Sequence, residues 1–340
     1  MPYEPPENFR RMTTIDAHAA GEPLRVITSG FPEPPGETIL QKRQYASEHC
    51  DDLRRALMFE PRGHANMYGC LPTAPVTPDG DLGVLFMHNE GFSTMCGHGI
   101  IALTTVAIET GMIAASGDEQ VIRYDTPAGR VTATAHLRDG RVRKVSFINV
   151  PSFLLARDLE VSVPDLGVVR CDIAFGGAFY AYVDAEPLGL DLVPANHARI
   201  IDIAMRIKRA VMQSYEIVHP DGSGDLNFLY GTILVQPASD PLHSRNVCVF
   251  ADGEVDRSPT GTGVSGRAAI HHARGELAVG QTITIESLIG TSFDVRAVET
   301  TTVGGRPAII PEVTGSSYLT GRHEFLIDPD DPLRGGVLLR

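Results

Sequence analysis

Cysteine is scarce in this chain of 340 residues, which has five cysteines, no tryptophan and only 6% aromatic residues. The number of cysteines is odd, their spacings are wide and none belongs to a C-x-x-C pair. Neither a disulfide framework nor a structural zinc site is therefore expected, and a reducing compartment fits this usage. Four of the five, Cys50, Cys70, Cys171 and Cys248, are predicted to be small buried residues.

Long apolar runs and excess positive charge are missing too. No run of 18 apolar residues occurs, which predicts that no segment spans a membrane. The formal net charge of −13 argues against general affinity for nucleic acid or anionic lipid, although a local site can still bind a small anion. The polar, acidic residues 1–7 do not look like a secretory signal. We therefore expect a cytoplasmic protein whose partner is a small molecule.

The usual motifs for metals and cofactors are also absent. The histidines show no H-E-x-x-H or similar ligand spacing, and the glycines form neither a G-x-G-x-x-G fingerprint nor a phosphate loop with its lysine. The sequence accordingly predicts no metal and no cofactor.

Short β-branched segments bounded by Gly, Pro or Asp recur along the chain and predict strands. Between them, one helix is predicted near 48–59 and another near 195–215, where apolar residues follow helical spacing. In the second of these helices, Arg206, Lys208 and Arg209 are predicted to form a solvent-exposed face.

Two similar segments lie far apart in the chain. Cys96-Gly97-His98-Gly99 precedes an apolar run that ends at Gly111, and Thr260-Gly261-Thr262-Gly263 precedes a similar run that ends at Gly275. The run after Cys96 has no charge until residue 109, which is typical of a buried helix. Two glycine-flanked caps, each opening a helix of the same length, predict an internal duplication with both caps facing one substrate.

The duplication predicts an α+β fold of two pseudo-symmetric domains, each a mostly antiparallel β-structure around a central helix. The first domain is expected over residues 1–170 and carries Cys96. A C-terminal strand at 335–340 is expected to complete it. The second domain is expected over 171–334 and carries Asp256 and Thr260.

The two caps have the chemistry of a carboxylate site. The first N–H groups of a helix have no intrahelical partner, and its dipole places positive partial charge at the same end. Glycines beside these groups let a ligand reach the backbone. Gly97 and His98 of the first cap, with Gly261 and Thr262 of the second, are the predicted carboxylate contacts.

The caps differ in one respect, since Cys96 is a thiol and Thr260 is an alcohol. A helix N-terminus favours the thiolate, so Cys96 is a candidate base or nucleophile, whereas a threonine hydroxyl is a weak acid. Asp256 lies four residues before Thr260, where a carboxylate can hold a cationic amine. Alternatively, Cys96 only caps a buried helix and Asp256 is only a turn residue.

At these residues the chain resembles the proline racemase family, whose fold is shared with diaminopimelate epimerase. The resemblance covers nearly the whole chain, and its most specific strings are Met95-Cys96-Gly97-His98 and 256–263. Racemases and epimerases of the family carry cysteine at both caps. With threonine at position 260, the chain resembles instead the branch of the family that dehydrates trans-3-hydroxy-L-proline.

This resemblance implies a cofactor-independent hydro-lyase. Cys96 would remove the α-proton, the four cap residues would hold the carboxylate and Asp256 would hold the ring nitrogen. Loss of the 3-hydroxyl would give an enamine and then Δ1-pyrroline-2-carboxylate, with Thr260 near the leaving group. Two alternatives stay open: a proline racemase or hydroxyproline 2-epimerase, and a non-catalytic amino-acid-binding protein. A homodimer is expected by family analogy alone.

Overall fold

A computed structural model describes residues 3–222, 224–237 and 243–339. Its helices are α1 (Ile39–His49), α2 (Asp51–Met58), α3 (Gly97–Glu109), α4 (His197–Ser214) and α5 (Gly261–Ala273). Its strands are β1 (Arg10–Ala19), β2 (Glu22–Ser29), β3 (Tyr68–Thr73), β4 (Leu82–His88), β5 (Phe92–Ser93), β6 (Glu119–Thr126), β7 (Gly129–Arg138), β8 (Arg141–Ile148), β9 (Phe153–Val163), β10 (Gly167–Phe175), β11 (Phe179–Asp184), β12 (Leu229–Pro237), β13 (His243–Phe250), β14 (Glu254–Val255), β15 (Thr282–Glu286), β16 (Ser292–Val303), β17 (Arg306–Gly315) and β18 (Ser317–Ile327).

The chain forms two compact units. Unit 1 consists of Met1–Thr94, Gly99–Val145 and Ser316–Arg340, and unit 2 consists of Met95–His98 and Ser146–Gly315. This division differs from the predicted domains at three places, because 146–170 and the Cys96 segment belong to unit 2 and 316–334 belongs to unit 1.

Strand pairing explains two of these differences. Strand β9 pairs antiparallel with β10 from Phe153 to Val163, so this hairpin keeps residues before 170 in unit 2. Strand β18 pairs antiparallel with β1 along its length, which draws the chain after 315 into unit 1. Val337 forms a bridge with Glu60 in unit 1, while Arg340 lies outside the described residues.

The two units repeat one pairing scheme. In unit 1, β1 pairs antiparallel with β2, β2 parallel with β3, β3 antiparallel with β4, β4 parallel with β6 and β6 antiparallel with β7. In unit 2, β10 to β13, β15 and β16 follow the same sequence of antiparallel and parallel pairs. Helix α3 precedes β6 just as α5 precedes β15. The predicted duplication is therefore present in the topology.

Helix α3 carries apolar residues on all sides, and the surrounding protein encloses it. Its residues Ile100, Ile101, Leu103 and Val106 have no exposed surface, which confirms the predicted buried helix. The four cysteines predicted to be structural are also buried. Burial raises the pKa of Cys171 to about 12, so this thiol stays protonated at neutral pH.

Two helical predictions need correction. The single helix expected near 48–59 is two helices, because α1 begins nine residues earlier, after a capping box of Thr38 and Gln41, and ends before Cys50. Lys208 of α4 is buried rather than exposed, and its ammonium donates to the carbonyl of Ala251 at 2.6 Å. Among the described residues, no helix is long and apolar enough to cross a membrane.

Candidate active site

The N-termini of α3 and α5 meet inside unit 2. A Cβ atom on Gly97 would lie 2.6 Å from the Cα of Gly261, and the reverse distance is also 2.6 Å. The ring of Phe147 lies 3.1 and 3.3 Å from the same two positions. Any side chain larger than hydrogen would overlap the opposite backbone, so glycine permits the close approach of both helix ends.

Cys96 and His98 form a buried pair at the start of α3. The Sγ of Cys96 lies 3.2 Å from Nδ1 and 3.6 Å from Nε2 of His98, and the two residues are 5% and 4% exposed. A neighbouring imidazolium and a helix N-terminus both favour a thiolate. The structure thus adds a proton partner to the thiol that the sequence identified.

Thr260 is strained and buried at the start of α5. Its φ of +69° is in the left-handed region, which a β-branched residue rarely adopts. Its hydroxyl Oγ1 is buried and has no hydrogen-bond partner among the described residues. Strain of this kind costs about 1–3 kcal/mol, and an unsatisfied buried hydroxyl costs about the same. Such costs concentrate at sites where a ligand completes the hydrogen bonding.

Two residues upstream hold this strained turn. The hydroxyl of Ser258 accepts the N–H of Thr260 at 3.1 Å, and Oδ1 of Asp256 accepts the N–H of Ser258 at 2.7 Å. Asp256 is 4% exposed, and its own N–H donates to the carbonyl of Cys248 at 3.0 Å. Asp256 is therefore a turn residue with a buried carboxyl group, whereas the sequence analysis expects it to hold a cationic amine.

Replacing Asp256 with asparagine separates these two roles. Asparagine keeps an oxygen that accepts the N–H of Ser258 and removes only the charge. We expect the melting temperature to change by a few degrees at most, while KM for a substrate that carries a cationic amine rises about 10- to 100-fold because a charged hydrogen bond of ~1.5–3 kcal/mol is lost. Thermal unfolding and steady-state kinetics on one preparation measure both effects. An unchanged KM would show that Asp256 holds the turn and does not bind the substrate.

The first turn of α5 is fixed by two tyrosines that the sequence analysis missed. The hydroxyls of Thr262 and Tyr180 lie 2.7 Å apart, and the hydroxyl of Tyr182 donates to the carbonyl of Gly263 at 2.8 Å. Burial raises the pKa of both tyrosines well above the ordinary value, which keeps their protons in place. The first helical bond of α5 runs from the N–H of Val264 to the carbonyl of Thr260 at 2.7 Å, so the N–H of Thr262 is one of the helix-end donors without an intrahelical partner.

Asn149 is a second residue that the sequence analysis missed. Its side-chain amide donates to the carbonyl of Gly176 and to the hydroxyl of Ser265, both at 2.8 Å. A Cβ atom on Gly176 would lie 2.2 Å from the carbonyl oxygen of Thr262. These contacts lock the β10–β11 turn onto α5. In the sequence, the adjacent glycines Gly176 and Gly177 are the signal of this close approach of backbone to backbone.

A groove in unit 2 does not include the thiol and alcohol of the caps. A groove of about 610 Å³ is lined by Arg267, Arg274 and Glu276 among others, and neither Cys96 nor Thr260 lines it. Within 3–222, 224–237 and 243–339, no group of three or more His, Cys, Asp or Glu side chains is placed to hold a metal ion.

Comparison with known proteins places the chain in a family. The proline racemase family model matches residues 14–338, and the chain belongs to that family. A trans-3-hydroxy-L-proline dehydratase of Colwellia psychrerythraea is 50% identical over 335 residues, which cover 98% of this chain and 94% of that protein. A 3-hydroxyproline 2-epimerase of Burkholderia multivorans is 46% identical over 332 residues, covering 97% of this chain and 99% of that protein.

Solved structures agree with the predicted fold class. A hydroxyproline epimerase from Agrobacterium vitis, solved with bound trans-4-hydroxy-L-proline, superposes with a TM-score of 0.89 at 34% sequence identity. The match covers 97% of this chain and 95% of that one. The α+β fold of the proline racemase family is thereby confirmed.

Proposed function

We propose that this protein is a cofactor-independent hydro-lyase that converts trans-3-hydroxy-L-proline into Δ1-pyrroline-2-carboxylate and water. The observation that carries the proposal is the asymmetry of the two caps: a buried thiol with an imidazole at 3.2 Å on one, and a strained alcohol on the other. Three relatives at 46–50% identity are named trans-3-hydroxy-L-proline dehydratase, which supports the same reaction.

Substrate binding follows from the electrostatics of the caps. The helix N-termini supply N–H groups and positive partial charge, which stabilise a carboxylate by about 0.3–2 kcal/mol for each helix. We assign this contact to the backbone of Gly97, His98, Gly261 and Thr262. Asp256 then binds the secondary ammonium of the ring.

The chemical step begins at Cys96. Its thiolate takes the α-proton while the helix ends stabilise the negative charge that spreads into the carboxylate. At the opposite cap, the hydroxyl of Thr260 is too weak an acid to protonate the carbanion at neutral pH. Expulsion of the 3-hydroxyl therefore competes successfully with inversion at Cα.

The two alternative functions, a racemase or epimerase and a non-catalytic binding protein, make different predictions. A racemase or epimerase needs an acid at the second cap, and Thr260 does not supply one. A non-catalytic binding protein has no need of a thiol and an imidazole 3.2 Å apart in a buried site. Incubation with trans-3-hydroxy-L-proline and, separately, with L-proline decides between them: imine from the first supports the proposal, and inversion of the second contradicts it.

Replacing Thr260 with cysteine should introduce inversion. The thiol restores an acid at the second cap, and cysteine is not β-branched, so the positive φ is no harder to adopt. We expect measurable inversion at Cα of L-proline or trans-4-hydroxy-L-proline by chiral chromatography. Thr260→Val, which has similar volume and no acidic proton, serves as the matched control without inversion. A folded Thr260→Cys protein that never inverts Cα would show that a missing acid is not the reason.

The proposal also includes a cytoplasmic location and a homodimer. Cysteine usage supports the first, and analogy with the family supports the second. Sedimentation of the purified protein tests the homodimer.

A further inference from the structure

The stereochemistry of the proposed substrate limits where the second catalytic group can be. In trans-3-hydroxy-L-proline the hydroxyl and the carboxylate are on opposite faces of the ring. The α-hydrogen is also opposite the carboxylate, so the α-hydrogen and the leaving hydroxyl share one face. A base and an acid that act on these two groups must therefore lie side by side.

Resting on the proposed function, we infer that His98 is the general acid that protonates the departing 3-hydroxyl. Its Nδ1 lies 3.2 Å from the sulfur of Cys96 and its Nε2 lies 3.6 Å from it. The imidazole is therefore beside the base, where the shared face requires an acid. This role differs from carboxylate binding, which needs only the backbone N–H of His98.

The charges of the site are compatible with an imidazolium at His98. The start of α3 disfavours a cation there, but a helix end carries only about half an elementary charge. The thiolate carries a full negative charge at 3.2 Å, and both groups are buried, where screening by water is weak. The full negative charge of a thiolate outweighs the partial charge of the helix end, so a thiolate at Cys96 favours an imidazolium at His98.

The protons and electrons balance within this pair. The Cα–H bond breaks as its proton moves to Sγ of Cys96, and its electron pair becomes the double bond between Cα and C3. The C3–O bond breaks, and oxygen keeps that electron pair while taking the proton of His98, so water leaves. The product is the enamine, beside a neutral imidazole and a thiol. Proton transfer from sulfur to imidazole then restores the starting pair without any outside reagent.

The first test replaces His98 with glutamine and, separately, with asparagine. Each variant is given trans-3-hydroxy-L-proline and trans-3-chloro-L-proline, because chloride leaves without a proton and hydroxide does not. We expect water loss to fall about 10²- to 10⁴-fold, the usual contribution of a general acid, while chloride loss stays within about tenfold of wild type. The measured quantity is the ratio of the two rates, in which any effect on the thiolate cancels.

An unchanged ratio in a folded variant would overturn the assignment. His98 would then only stabilise the thiolate of Cys96 or the folded structure. Retention of full water loss would overturn it as well. Cys96→Ser is the control that should lose both eliminations together. If the wild-type protein fails to dehydrate trans-3-hydroxy-L-proline, the proposed function fails, and this outcome is distinct from an unchanged ratio in an active enzyme.

The second test uses the unaltered protein and needs no variant to fold. In cis-3-hydroxy-L-proline the hydroxyl is on the face opposite the α-hydrogen, out of reach of an acid beside Cys96. In deuterated water we expect exchange at Cα of this isomer but dehydration at least about 100-fold slower than for the trans isomer. Comparable dehydration of both isomers would place the acid elsewhere.

Discussion

Replacing Cys96 with serine is expected to lower kcat for dehydration by about 10³- to 10⁴-fold, because serine keeps the shape but cannot form the conjugate base near neutral pH. Exchange of the α-hydrogen with deuterated water should fall by the same factor, since both processes begin with that proton. Binding should change little, because the carboxylate and ammonium contacts come from the helix backbones and Asp256. Steady-state kinetics, proton NMR and calorimetry measure the three quantities.

The matched control for this variant is Cys171→Ser. Cys171 is 2% exposed and burial keeps it a thiol, so the same chemical change away from the caps should leave kcat intact and cost only stability. If Cys96→Ser still exchanges the α-hydrogen at the wild-type rate, another group is the base and the proposed mechanism fails.

Gly97→Ala is the second variant with a large expected effect. Helix propensity alone favours alanine over glycine by about 1 kcal/mol. Here the new methyl carbon would lie 2.6 Å from the Cα of Gly261, and backbone cannot rotate away as a side chain can. We therefore expect a net destabilisation of about 1–3 kcal/mol, and a loss of kcat/KM of about 100-fold as the helix ends move apart by roughly 1 Å.

Thermal unfolding and kinetics measure these two changes, with Gly224→Ala as the control. A Cβ atom on Gly224 meets no other atom within 4 Å, so this variant adds the same methyl group in open space. The close contact of the two caps would be contradicted if Gly97→Ala behaved like Gly224→Ala.

The local chemistry of the caps could be predicted from the sequence because it depends on neighbours in the chain. Cys96 and Thr260 each precede a glycine-rich helix start, and the equal spacing to Gly111 and Gly275 revealed the duplication. The repeated pairing of strands in the two units agrees with that prediction. The apolar run after Cys96 likewise predicted a buried helix, since a helix that is apolar on every face has no side suited to water.

Contacts between distant segments could not be predicted from patterns in the sequence. The pairing of β18 with β1 joins residues about 300 apart, and no local pattern distinguishes this pairing from others. The same is true of Tyr180 and Asn149, whose polar atoms secure the first turn of α5. Their side chains resemble those of any buried strand or turn until the partner segment is in place.

The sequence by itself determined which side chains the two caps carry, a thiol and an alcohol, because covalent order fixes the residue at each helix start. Only the tertiary structure decided the backbone conformation, the hydrogen bonding and the neighbours of these two side chains. Packing forces Thr260 into a left-handed conformation with its hydroxyl unsatisfied, and it turns the imidazole of His98 toward the sulfur of Cys96. Those features depend on dihedral angles and rotamers, which the chain adopts only when the surrounding core leaves no alternative.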